Sequence, residues 1–239
     1  MAGGRGWMMP EPLLLLPGMM CDGRLFAPQI AAFSHERPVM VAPLSGAETM
    51  ADLAHAILAS APARFALAGL SMGGIVAMEM IRQAPDRISR LALLDTNPLP
   101  DPPERAPIRA AQVEKALAGG LRAVMRDEMK PNYLTDGPRR AEILALCMDM
   151  AEGLGPDVFA TQTAALLHRP DQSDTLGRVR VPALVLCGED DRLCPPARHR
   201  LMHDLIPGSR LIVLPRAGHL PVLEQPEATN AAIRDWLAM

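Results

Sequence analysis

The chain has 239 residues, of which 49% are apolar and 21% charged, with a formal net charge of −3. This length suits one large domain, or one domain carrying a sizeable insertion. The near-balanced charge, with no basic stripe, excludes a nucleic-acid-binding surface, and no run approaches the roughly 18 apolar residues of a membrane-spanning helix.

Arg5 followed by Leu13–Leu16 has the outline of a secretion signal. The apolar run is only four residues long before Pro17-Gly18, however, and no small-residue cleavage site follows. Met20 directly before Cys21 also argues against lipoprotein processing. A soluble, cytoplasmic protein is expected. The four cysteines, Cys21, Cys147, Cys187 and Cys194, show neither C-x-x-C spacing nor a zinc pattern with histidine, and read as reduced structural thiols. Aromatic residues are scarce at 3% while Met is abundant at 16, so a pocket lined by adaptable methionines is expected.

Along the chain, short apolar runs closed by Gly, Pro or Asp predict buried parallel strands. They fall at Leu13–Leu16, Val39–Ala42, Phe65–Leu70, Leu91–Asp95, Ala183–Gly188 and Arg210–Leu214. Amphipathic stretches between most of them predict helices at Ala51–Ala61, Met72–Gln83, Pro196–Leu205 and Pro226–Leu237. This alternation predicts the α/β class: a doubly wound sheet with helices on both faces and the ligand site beyond the carboxyl ends of the strands.

One stretch breaks the alternation. From Pro98 to about Thr175 there is no convincing strand. A proline cluster (Pro98, Pro100, Pro102, Pro103, Pro107) leads into helical patterns at Ile108–Ala118, Leu121–Met129, Pro138–Glu152 and Asp157–Leu167, with glycines between them as stops or hinges. The expected organisation is a core of residues 1–97 and 176–239 and an inserted helical cap, or lid, of residues 98–175.

Gly69-Leu70-Ser71-Met72-Gly73-Gly74 follows a predicted strand and opens a predicted helix, the context that a G-x-S-x-G nucleophile turn requires. Seven serines and a glycine frequency of 18 in 239 give about 0.04 such matches by chance. The alternative is a glycine-rich turn whose serine only caps the helix. A neutral serine needs a base. Of six histidines, His219 in Ala217-Gly218-His219 lies in a loop after a strand, on the same rim as Ser71. His55, His199 and His203 fall within helical patterns and read as surface residues. His35 lies in a polar loop, and His168 ends a lid helix where it can line a pocket. For the acid that orients the base, Gly188-Glu189-Asp190-Asp191 offers three carboxylates. Asp191 is favoured, Glu189 and Asp190 are fallbacks, and Asp95 at the end of the preceding core strand is a further alternative. An oxyanion hole would take one backbone N–H from Met72 and a second from the loop Leu16–Met20, with Met19 the candidate donor unless Pro17-Gly18 is a plain turn.

Taken together these residues resemble the α/β-hydrolase superfamily almost end to end. Leu15–Gly18, Gly69–Gly74, Gly188–Pro195 and Ala217–Glu227 carry the likeness. The family pattern G-x-x-D-x-x-x-P falls on Gly188, Asp191 and Pro195, which supports Asp191 as the acid. The chain is most similar in kind to small bacterial carboxylesterases and enol-lactonases with a four-helix, V-shaped cap, and Arg169-Pro170-Asp171 also resembles that group. Where many members have His-Gly this chain has Pro17-Gly18, and little room precedes Leu13 for the usual antiparallel strands, so a sheet of about six parallel strands is expected. A serine nucleophile argues against haloalkane dehalogenases and epoxide hydrolases, which use aspartate, and the single Tyr133 rules out a two-tyrosine epoxide-activating cap. The resemblance implies no metal and no organic cofactor.

The function expected is hydrolysis of a small-molecule ester, thioester or lactone through an acyl-enzyme on Ser71, His219 and Asp191. The alternatives are C–C bond hydrolysis or perhydrolysis on the same residues, or a ligand-binding receptor with vestigial turnover. Candidate substrate contacts are Met20, Asn97, Met125, Met129, Met148 and His168. The lid carries arginines at 105, 109, 122, 126, 139, 140 and 169, mostly read as a solvated face, with one or two available to meet an acidic acyl group or a thioester carrier.

Overall fold

The computed structural model describes residues 10–239, so Arg5 lies outside the described residues. Six strands form one sheet: β1 (Leu13–Leu16), β2 (Val39–Val41), β3 (Phe65–Leu70), β4 (Ile88–Leu94), β5 (Ala183–Gly188) and β6 (Arg210–Leu214). Their spatial order is β2-β1-β3-β4-β5-β6, and every neighbouring pair is parallel. The mostly parallel, doubly wound sheet expected from the apolar runs is therefore present, with six strands.

Side chains alternate across a strand, so a sheet buried on both faces needs apolar residues at every position. β1 is four leucines, all buried. Leu14 and Leu16 pack into one core with Leu67, Leu93 and Val185, beneath α2 (Met50–Ser60), α3 (Met72–Gln83) and α8 (Pro196–Leu205). Leu13 and Leu15 pack into a second core with Ala66, Ala68 and Leu186, beneath α1 (Ala27–Phe33) and α10 (Pro226–Leu237). Helix α1 was not foreseen: its one turn of contacts, through Ile30 and Phe33, is too short to show a helical period.

Between β4 and β5 the chain is helical. Helix α4 (Arg105–Lys115) runs through a wide turn at Ala116–Gly120 into α5 (Leu121–Ala123) and on to Met129. Helix α6 (Arg140–Leu167) spans 28 residues, and α7 (Ser173–Leu176) and α9 (Pro221–Glu224) are single turns. The expected stop at Gly153 and Gly155 is instead a kink. Gly155 takes φ +84° and ψ 172°, and Pro156, which has no N–H to donate, starts the downstream half. Helix α6 is tied to the core by Gln162, whose Nε2 donates to the Leu44 carbonyl at 2.7 Å and whose Oε1 accepts the Met20 N–H at 2.9 Å. Among the described residues no helix is long and apolar enough to cross a membrane.

Candidate active site

Four non-glycine residues with positive φ stand at the carboxyl edge of the sheet: Met20 (+55°) after β1, Ser71 (+54°) after β3, Asp95 (+42°) after β4 and Arg216 (+57°) after β6. Strain of this kind persists only where surrounding packing enforces it. At Ser71 the enforcement comes from two glycines. A Cβ at Gly69 would lie 2.2 Å from the Gly73 carbonyl oxygen, and one at Gly73 would lie 2.1 Å from that of Leu16. Only glycine at both positions lets β3, the turn and the first turn of α3 approach so closely.

The result is a half-buried Ser71 hydroxyl 2.9 Å from Nε2 of His219. Nδ1 of His219 lies 2.9 Å from Oδ2 of Asp191. Both partners are buried, His219 to 2% and Asp191 to 3% exposure. The other oxygen of Asp191 accepts the N–H groups of Leu193 (2.8 Å) and Cys194 (3.0 Å). Burial opposes the charge on Asp191, but His219 and those two N–H groups outweigh it and hold the carboxyl below its ordinary value. Glu189 and Asp190 are exposed. Asp95 is fully buried, and its Oδ1 accepts the Gly188 N–H at 2.9 Å while Oδ2 has no partner. Burial, reinforced by the neighbouring charge of Asp191, pushes the Asp95 carboxyl well above its ordinary value.

The backbone N–H groups of Met19 and Met72 donate to no protein acceptor. Met72 opens α3, so its N–H is one of the free donors at the positive end of a helix. Both residues, with Ser71 and His219, line a cavity of about 370 Å³.

Asn97 and Met129, expected to contact substrate, line that cavity. The other four expected contacts lie elsewhere. Met20 and Met125 are fully buried core residues, Met148 packs against the same core, and His168 is exposed at the end of α6. Methionine abundance therefore reflects core filling more than pocket lining. His199 also corrects its expectation: it is wholly buried, its Nε2 accepts the Thr96 N–H at 3.0 Å, and burial lowers its pKa to about 4. Thr96 Oγ1 in turn donates to the Ser71 carbonyl at 2.7 Å, so this histidine supports the turn from beneath.

Two residues without a foreseen role hold His219. The Tyr133 carbonyl accepts the His219 backbone N–H at 2.7 Å, and its ring meets the imidazole edge to face, centroids 5.4 Å apart. The Glu224 carboxylate accepts the N–H groups of Gly218 and Leu220, on either side of His219, and also the N–H and hydroxyl of Thr135. The G-H-x-x-x-x-E spacing from Gly218 to Glu224 was the available signal.

Asp191, Cys194 and His219 bring three potential ligand atoms within 4.8 Å of one another. Asp191 already spends both oxygens on hydrogen bonds, and burial holds the Cys194 thiol well above its ordinary value, so the donor set suits a hydrogen-bonded relay better than a cation. All four cysteines are free thiols.

A model of the alpha/beta hydrolase family matches residues 2–232, and the chain belongs to that family. The malate-bound thermophilic esterase of Thermogutta terrifontis superposes with a TM-score of 0.87 at 31% identity, over 96% of this chain and 90% of that one. The enol-lactonase of Burkholderia xenovorans LB400 superposes with the same score at 26% identity, over 99% and 94%. The chain is also 29% identical over 198 residues to the provisionally named carbamate hydrolase RutD of Klebsiella pneumoniae subsp. pneumoniae, covering 80% of this chain and 72% of the relative.

Proposed function

We propose that the chain is a serine hydrolase that cleaves a small carboxylic ester, thioester or lactone through an acyl-enzyme. The carrying observation is the continuous relay Ser71–His219–Asp191, two contacts of 2.9 Å opening on one cavity. Ser71 Oγ attacks the carbonyl carbon while His219 Nε2 takes its proton. Asp191 keeps the Nδ1–H tautomer in place and stabilises the imidazolium that forms. The oxyanion settles between the Met19 and Met72 N–H groups, donors already oriented before the charge develops. The imidazolium protonates the leaving oxygen or sulfur, and His219 then activates water to release the acid.

The relatives support the bond type: two of the three similar proteins are named an esterase and an enol-lactonase. Residues 98–175 act as the cap over a core of 1–97 and 176–239. This reading is supported by Ile108, Met129 and Tyr133, which belong to the helical insertion and share the cavity with Ser71. Four free thiols suit the reducing cytoplasm. The test is hydrolysis of a panel of short esters, thioesters and lactones by wild type and Ser71→Ala. Turnover lost in the variant supports the reading, and equal rates overturn it.

A further inference from the structure

The cavity beside Ser71 is lined by four arginines, Arg105, Arg109, Arg169 and Arg198, against only two carboxylates, Asp101 and Glu128. Glu128 is engaged by Lys115 at 2.8 Å and Gln112 at 3.1 Å. Asp101 therefore faces the arginines alone. Its side chain is 4% exposed, with Oδ2 accepting Arg109 Nε at 2.6 Å and Oδ1 in an ion pair with Arg169 Nη2 at 3.0 Å. Arg169 Nε donates to the Leu99 carbonyl at 2.8 Å. Among the described residues neither Arg105 nor Arg198 forms an ion pair, and Nη1 of Arg169 and both Nη groups of Arg109 donate to no protein acceptor.

One carboxylate cannot neutralise two guanidinium groups. Arg109 and Arg169 are nearly as buried as Asp101, at 12% and 7% side-chain exposure, so the surplus charge sits where water screens it little. Burial pushes the Arg169 guanidinium down, and Asp101 only partly offsets this. Leaving such a charge uncompensated is costly unless a ligand completes the pairing. At Arg109 Asp101 meets only Nε, which leaves both Nη groups as a free planar fork facing the cavity beside the free Nη1 of Arg169, and such a fork matches a carboxylate.

We propose that the substrate carries a free carboxylate besides its scissile bond, and that Arg109 and Arg169, held by Asp101, bind it. This rests on the serine-hydrolase reading for the bond that is cleaved. Arg105 and Arg198 extend the positive field towards the cavity mouth, and Asp101 is the positioning residue. A purely structural clamp, pinning the start of the insertion to its end, would affect all esters alike. Recognition affects only those with a carboxylate.

The experiment measures kcat/KM for the monomethyl esters of succinic, glutaric, adipic and pimelic acids against methyl esters of monocarboxylic acids of matching length. A second arm uses acetylated short hydroxy acids, which places the carboxylate on the leaving half instead. The expected result is a preference of about tenfold or more for a charged ester in one arm, expressed in KM, and a collapse of that ratio in Arg109→Met and in Arg169→Met. Arg178→Met, on an exposed surface outside the cavity, keeps the ratio. Calorimetry with glutarate and adipate on Ser71→Ala supplies a readout without turnover: binding that Arg169→Met removes from that background supports the proposal. Charged esters no better than neutral ones in both arms, with neutral esters still cleaved through Ser71, overturn the proposal and leave the hydrolase reading intact. If wild type cleaves no ester, thioester or lactone, the hydrolase reading falls, and calorimetry alone decides: no dicarboxylate binding overturns the proposal.

Discussion

Glu224 grips His219 by the backbone on both sides, its Oε2 accepting the N–H of Gly218 at 2.9 Å and of Leu220 at 3.1 Å, while its Oε1 accepts the N–H and hydroxyl of Thr135. One carboxylate thus joins the loop that carries His219 to the helical insertion between β4 and β5. The Tyr133 carbonyl adds a second tie to the same loop. The imidazole reaches Ser71 because the backbone beneath it is fixed by acceptors from two directions.

Glu224→Gln is predicted to behave almost as badly as Glu224→Ala. Every hydrogen at this carboxylate is donated to it, so an amide must turn its own N–H₂ against at least one backbone donor: the Gly218 and Leu220 N–H groups in one orientation, or the Thr135 N–H in the other, where the Thr135 hydroxyl can reverse to accept. The expected loss in kcat is about tenfold or more, with a smaller change in KM, since an unsatisfied buried donor costs about 1–3 kcal/mol. Steady-state kinetics with a melting curve for each variant checks this. A Glu224→Gln enzyme with wild-type kcat would show that the loop is held by packing alone.

Asp191→Asn is predicted to lower kcat by about three to four orders of magnitude with little effect on ester binding, because the amide favours the wrong imidazole tautomer. A loss confined to KM would point away from Asp191 as the acid.

Asp95 yields a prediction about pH and stability. Its folded-state pKa is raised by burial and by the charge of Asp191, so between the unfolded value and the folded one the native state holds a proton that the unfolded chain releases. Stability from this group is therefore greatest in acid, and declines as pH rises above the ordinary carboxylate value, by up to about 1.4 kcal/mol per pH unit. Asparagine keeps an oxygen for the Gly188 N–H but has no proton to lose. Melting temperatures of Asp95→Asn should gain steadily on wild type from mild acid to mild alkali. Parallel curves would mean that Asp95 is ionised in the fold.

Much of this architecture is legible in the residues. Runs such as Leu13–Leu16, Phe65–Leu70 and Ala183–Gly188 are apolar at every position because both faces of a parallel strand are buried. Ser71 is legible because its turn tolerates only small residues at 69 and 73, a steric demand that leaves a written pattern. Other features leave none. Helical spacing does not say which side of α8 faces the sheet, so His199 reads as exposed although it is wholly buried. Glu224 leaves only its spacing from Gly218 and His219, because two of its four donors belong to Thr135, 89 residues away. Met20 and Met125 carry the same apolar signal whether they line a pocket or fill the core, and they fill the core. Asp101 sits in the proline cluster that opens the insertion, and its two arginine partners are visible only in three dimensions.

Gly73→Ala gives a test of the turn itself. The added Cβ would fall 2.1 Å from the Leu16 oxygen, backbone that cannot swing aside as a side-chain tip can. A destabilisation of about 2 kcal/mol or more, or loss of soluble protein, is expected, with activity lost in whatever folds, since β1 and α3 must separate and carry the Met19 and Met72 donors apart. Unchanged melting and activity would contradict the close approach.

The central claim is that Ser71 is the nucleophile. The most direct measurement is intact-protein mass after treatment with a fluorophosphonate, followed by peptide mapping, on wild type and Ser71→Ala. The account predicts one stoichiometric adduct on Ser71, matching loss of ester hydrolysis, and no adduct in the variant. An adduct elsewhere, or an unlabelled wild type that still cleaves esters at the same rate as Ser71→Ala, would contradict it.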